Sequence, residues 1–111
     1  MKFYSLNDLN IQATFKEAVI AGIAPDKGLY FPERITPLSP DFFDNIESFS
    51  NHEIAFKAIQ QFVSDDVPDA VLKEIIANTL DFDFPVVDIE ENVATLELFH
   101  GPTMAFKDVG A

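Results

Sequence analysis

A chain of 111 residues with 48% hydrophobic content has the size of one ordinary domain and enough apolar mass for a single core of modest size. Nineteen acidic against seven basic residues give a formal charge of −12, which repels both the phosphate backbone of nucleic acid and an anionic membrane surface; neither is expected as a partner. Disulfides, thiolate zinc sites and a cysteine nucleophile are excluded because there is no cysteine. The first residues hold no long apolar run, and no window approaches the roughly 18 apolar residues of a membrane span, so a soluble, cytoplasmic protein is expected. Twelve phenylalanines beside two tyrosines and no tryptophan leave the aromatic mass with few polar handles. Most of it is expected in the core, and any part left exposed would mark a partner surface.

In chain order, Lys2 to Ser5 alternates and reads as a short edge strand before the polar turn Asn7-Asp8-Leu9-Asn10. Thr14-Phe15-Lys16-Glu17 is a capping box, and the helix it opens places Phe15, Ala18, Val19, Gly22 and Ile23 on one apolar face before the turn Pro25-Asp26-Lys27-Gly28. Leu29-Tyr30-Phe31-Pro32 is aromatic and limited by proline, which suits an edge strand or an extended segment. Ser39-Pro40-Asp41 supplies an N-cap, a proline at the first helical position and an acid in the first turn; Phe42, Phe43, Ile46 and Phe49 follow as the apolar side. A second capping box, Ser50-Asn51-His52-Glu53, opens a helix whose Ala55, Ala58, Ile59 and Phe62 share a face, and assigns His52 to structure. After the acidic break Asp65-Asp66-Val67-Pro68-Asp69, the positions Leu72, Ile75, Ile76 and Thr79 again have helical spacing.

From Asp81 the pattern changes. Val86 to Ile89 reads as one strand and Val93 to Phe99 as another, joined at Glu90-Glu91-Asn92 as a hairpin. The expected fold class is α+β: residues 1–84 as a small, mainly helical domain of about four helices with short strands, and residues 85–111 as a hairpin leading into a further domain. No metal site is expected, since the two histidines lie far apart and the acid pairs Asp65/Asp66 and Glu90/Glu91 fall in turns that suit solvated loops.

The closing stretch Leu96-Glu97-Leu98-Phe99-His100-Gly101-Pro102-Thr103-Met104-Ala105-Phe106-Lys107-Asp108 breaks from an apolar run at His-Gly-Pro and restarts at Pro102-Thr103. A lysine is usually a solvated charge. If Thr103 caps a helix, however, Lys107 falls at its fourth position, near the positive end of the dipole and among the apolar Met104, Ala105 and Phe106; both features favour the neutral amine that Schiff-base chemistry requires. Thr103 could cap that helix, bond an anion oxygen, or both. His100, in the turn, could exchange protons near neutral pH or simply bond to backbone. Asp108 is expected to favour the helix N-terminus electrostatically.

The string resembles the signature Leu-Phe-His-Gly-Pro-Thr-x-Ala-Phe-Lys-Asp of the threonine synthases. Asp26 to Pro32 is similar to that family's Asp-Gly-Gly-Leu-Tyr-x-Pro element, with Lys27 replacing the first glycine. Should that position need a positive φ, the lysine would cost about 1 kcal/mol. The resemblance implies a fold-type II pyridoxal-phosphate enzyme that converts O-phospho-L-homoserine and water to L-threonine and phosphate. Lys107 would carry pyridoxal 5'-phosphate as a Schiff base and then act as acid/base, Thr103 would be a further cofactor contact, and His100 a further acid/base. With only four glycines spread along the chain, the glycine-rich phosphate loop of such enzymes has no counterpart here. The expectation is therefore an N-terminal fragment, inactive alone, that packs against the remainder of its own polypeptide. Two alternatives stand beside it: a non-catalytic acidic helical interaction module, and another fold-type II enzyme such as a serine or threonine dehydratase.

Overall fold

The computed structural model describes residues 1–110 and shows an α+β chain. It divides into two compact units, Met1–Ile76 and the residues from Ala77 onward, with the division falling inside a helix.

The first unit contains a three-stranded antiparallel sheet, β1 (Phe3–Ser5), β2 (Gln12–Ala13) and β3 (Tyr30–Pro32), in the order β2-β1-β3. β1 is thus the central strand and not the edge expected of it: Phe3 pairs with both Ala13 and Pro32. Local alternation cannot reveal how many partners a strand will find. β3 does lie at an edge, as its proline requires.

Helix α1 (Phe15–Ala21) starts at the expected capping box: the Glu17 N–H donates to Thr14 Oγ1 at 3.2 Å and the Thr14 N–H donates to Glu17 Oε2 at 2.8 Å. It ends sooner than the apolar spacing suggested, because Gly22 turns to φ +72° and closes the helix as its C-cap. Helix α2 (Pro40–Asp44) is capped by Ser39 and passes through a 3-10 turn, Ile46–Ser48, into α3 (Asn51–Val63), whose capping box joins Ser50 and Glu53. Helix α4 (Asp69–Thr79) follows. Four helices by residue 80 match the expectation. The acidic break between α3 and α4 is more than solvated loop: Asp66 accepts the Lys16 N–H in the first turn of α1 at 3.0 Å, and Asp65 pairs with the Met1 ammonium.

The core is small. Ala13, Ala18, Ala24, Phe42, Val63, Leu72 and Ile76 are its buried apolar side chains, and of the twelve phenylalanines only Phe42 is fully buried. Phe49 stacks on Phe42 with centroids 5.4 Å apart, whereas Phe31, Phe43, Phe99 and Phe106 are exposed. The expectation that most of the aromatic mass would be interior fails because short elements in two small units enclose little volume.

In the second unit β4 (Val86–Glu90) and β5 (Val93–Leu96) form the expected antiparallel hairpin, with a bulge between Asp88 and Glu90 and Asn92 at φ +62° in the turn. β5 stops at Leu96 and not at Phe99. Its last rung is the Glu97 N–H on the Pro85 carbonyl, and Pro85 has no N–H to extend the ladder. Every residue of both strands is exposed.

Candidate functional site

Beyond the hairpin the chain turns at Gly101 and reaches a single helical turn, α5 (Lys107–Gly110). Thr103 does not cap it. Its N–H and its hydroxyl both go to the Asp108 carboxylate, at 2.9 Å to Oδ2 and 2.8 Å to Oδ1. An ionised carboxylate only accepts, so the threonine hydroxyl donates to it, and among the described residues no helix N–H donates to that oxygen. Met104, at φ +54°, also takes the backbone off the helical path. The helix therefore begins at Lys107 itself, which is its first residue and not the fourth. Met104 and Phe106 are 78% and 63% exposed, so the apolar cover expected from the neighbours of the lysine is absent.

Lys107 is exposed, and among the described residues no hydrogen bond or ion pair engages its Nζ. It lines a cleft of about 300 Å³ with Asn78 and Thr79 at the end of α4, Asp81, Phe82, Pro102 and Asp108. One cation and one half-buried aromatic ring thus share a concavity with two carboxylates. Asp81 and Phe82, read from the sequence only as the entry to the hairpin, were given no site role; nothing local marks a residue that folds back against a segment some 25 positions later.

Among the described residues, His100 bonds neither to backbone nor into this cleft. Its Nε2 lies 2.7 Å from Glu97 Oε2, and its ring stacks on Phe99 with centroids 4.7 Å apart. The structure thus joins Thr103 to the lysine segment through Asp108 and gives His100 a separate partner three residues earlier. Among the described residues no group of His, Asp and Glu is arranged to hold a metal ion, and no helix is long and apolar enough to cross a membrane. A second cleft, about 230 Å³, lies in the first unit between Thr36-Pro37-Leu38 and α3, and none of the candidate residues lines it.

The turn at Asp26 is another ordered polar cluster. Ser5 Oγ donates to Asp26 at 2.8 Å and accepts the Asn7 N–H at 3.2 Å, while the Gly28 N–H donates to Asp26 Oδ1 at 3.0 Å. The Gly28 N–H foremost, then the Ser5 hydroxyl, hold the Asp26 carboxyl below its ordinary value. Lys27 has φ +66°, the left-handed conformation anticipated if a lysine replaced a glycine there.

Residues 2–80 match the family model described as threonine synthase N terminus. The threonine synthase of Escherichia coli (strain K12) is 37% identical over 110 residues, which cover 99% of this chain and 26% of that protein. Its crystal structure superposes on 99% of this chain with a TM-score of 0.87. The PLP-bound threonine synthase from Brucella melitensis is 32% identical and superposes on 98% of this chain and 25% of its own, with a TM-score of 0.86. Neither the interaction-module reading nor the dehydratase reading is favoured by these likenesses. The chain spans about a quarter of the length of these relatives, and over that span it belongs to the threonine synthase N-terminal family.

Proposed function

We propose that the polypeptide carrying this segment is a pyridoxal-phosphate-dependent threonine synthase, a cytoplasmic lyase that converts O-phospho-L-homoserine and water to L-threonine and phosphate. In this reading residues 1–84 are its N-terminal domain and residues 85–111 open the fold-type II catalytic domain. The matched family region ends at residue 80, one residue past α4, which supports a division there. The exposed phenylalanines and the uncovered hairpin support the remainder of the same polypeptide as the partner of this segment.

The observation that carries the proposal is the Lys107 amine in a cleft, with no hydrogen bond or ion pair among the described residues, inside the string that the family resemblance turns on. The fit to the cofactor is specific to one end of it. An unengaged primary amine beside the Phe82 ring suits an aldehyde and an aromatic ring. The Asp81 and Asp108 carboxylates in the same cleft oppose a phosphate there, so the phosphate end belongs with residues outside this segment.

Bound, the cofactor supplies an electron sink for charge developing on the substrate carbon chain. Lys107 holds it through Nζ and, once released, carries protons at that atom. Thr103 serves the cofactor by keeping the turn before the lysine in place, and His100, paired to Glu97, is a second proton-carrying group. In the full-length protein, Lys107→Ala should remove the borohydride-stable cofactor label and abolish threonine formation. Retained turnover would reject the role of Lys107. The segment alone should show no turnover and only an adventitious label.

A further inference from the structure

Lys107 opens a helix of only four residues, too short to hold its own conformation in water. Something else must fix where its amine points. Between Gly101 and Lys107 the backbone runs through a turn closed by the Met104 N–H on the Gly101 carbonyl at 3.0 Å, then through Met104 at positive φ. A second turn, closed by the Asp108 N–H on the Ala105 carbonyl at 3.1 Å, brackets the lysine but does not tie it back to Thr103. Among the described residues, the link that spans the loop from Thr103 is the Asp108 side chain, which takes both the N–H and the hydroxyl of Thr103. It can do so because residue 101 is glycine: a Cβ there would stand 2.5 Å from Asp108 Cβ and 2.6 Å from its Oδ2. Gly101 is itself buried under that carboxylate.

Resting on the proposed role of Lys107 as the cofactor lysine, we infer that Asp108 is a positioning residue, a clamp on Thr103 over Gly101 that holds the Lys107 amine at the cleft. The clamp works by geometry and not by charge. Both hydrogen bonds consume acceptor positions, and an asparagine can make the same pair: its Oδ1 accepts the Thr103 N–H, while its NH₂ donates to the hydroxyl oxygen. Alanine can make neither. A purely electrostatic residue would behave the opposite way, failing equally as asparagine and as alanine.

The test uses the full-length protein with its cofactor removed and pyridoxal phosphate as the probe; the initial rate of borohydride-trapped label at Lys107 is read by peptide mass spectrometry. Thermal midpoints are measured alongside, since a merely structural role would move them without moving the site of labelling. Asp108→Ala should lower the rate at Lys107 by about tenfold or more, as small displacements of a reacting group do, while Asp108→Asn stays within about threefold of the native rate. Labelling at the native rate in Asp108→Ala overturns the inference. So does an Asp108→Asn that falls as far as Asp108→Ala. Should Asp108→Ala not fold, Thr103→Val carries the test, for it keeps the N–H bond and deletes the hydroxyl bond: a severalfold drop supports the clamp and an unchanged rate overturns it. If the native protein is labelled at a lysine other than Lys107, the cofactor-lysine reading itself fails, an outcome distinct from a clamp that makes no difference.

Discussion

The two units contain the same device in different surroundings. In the first, Asp26 accepts from the Gly28 N–H and from the Ser5 hydroxyl, and a Cβ on Gly28 would overlap Ser5 Oγ. In the second, Asp108 accepts from the Thr103 N–H and hydroxyl, and a Cβ on Gly101 would collide with Asp108. Each is a carboxylate with two donors and a glycine that leaves room for the approach. Ser5, however, is completely buried in the central strand of a sheet, whereas Thr103 is exposed in a loop leading to one turn of helix. The first arrangement is built into the fold. The second is held mainly by its own two hydrogen bonds, beside a lysine proposed to do chemistry, and this is where a protein can keep a side chain placed without burying it.

The largest expected effect separates the glycines. Gly28→Ala must displace a buried hydroxyl and its partner, with the Asn7 nitrogen only 3.1 Å from the new methyl, and should destabilise by about 3 kcal/mol. Gly101→Ala meets Asp108 Cβ at 2.5 Å, which no side-chain rotation clears, so the short, lightly packed α5 turn must shift; this should cost about 1 kcal/mol of stability while slowing labelling at Lys107. Denaturant midpoints with unchanged slopes read the first quantity. Equal losses would mean that burial is not what distinguishes the two sites.

Next come the hydroxyls. Ser5→Ala removes a fully buried hydroxyl, leaving the half-buried Asp26 carboxylate and the Asn7 N–H each short of a partner, and should cost about 1 to 2 kcal/mol. Thr103→Ala, where water can replace the lost bond, should cost about 0.5 kcal/mol or less. A Thr103→Ala loss as large as that of Ser5→Ala would break the contrast.

What could be read from the residues follows the same line between local and distant chemistry. The capping pairs Thr14/Glu17 and Ser50/Glu53, the Ser39-Pro40 helix start and the hairpin are written in neighbouring positions, and each forms where expected. The central place of β1, the burial of Val63 and the exposure of Val19 depend on which segments meet, and spacing along one segment carries no such information. At the candidate site, Lys107, Thr103 and His100 were visible through a motif, but the start of the helix was misplaced. Thr103 has the chemistry of an N-cap, but the left-handed Met104 after it takes the backbone off the helical path and its hydroxyl turns to Asp108, five residues on, so the helix opens only at Lys107. The Glu97 partner of His100 was missed for a similar reason, since an acid three residues earlier is a signal on a helix and none in a strand tail.

Acid should act on the Asp26 arrangement. The folded Asp26 carboxyl lies below its ordinary value of 3.8, so its contribution is complete above that value and is lost as pH falls through the lower, folded one. Glu53, lowered from 4.5 chiefly by the Ser50 N–H and then by its hydroxyl, behaves in the same sense. Thermal midpoints should therefore drop between pH 5 and pH 3, and in a Glu53→Gln background Ser5→Ala should make that drop shallower. An unchanged acid limb would show that the Ser5 hydroxyl does not stabilise the charged form of Asp26.

The smallest effect concerns the two left-handed residues that accompany the devices, Lys27 at φ +66° and Met104 at φ +54°. Lys27→Gly removes a conformational penalty in a turn that Gly28, Asp26 and Ser5 already hold. The unfolded chain gains freedom at the same time, so the net stabilisation should be at most about 1 kcal/mol. Met104→Gly relieves a similar penalty, but in a loop spanned by a single side chain, where the extra freedom persists in the folded state. Its stability should change little, while the labelling rate at Lys107 should fall by about twofold to threefold. A Met104→Gly variant labelled at the native rate would show that the loop is held as firmly as the buried turn.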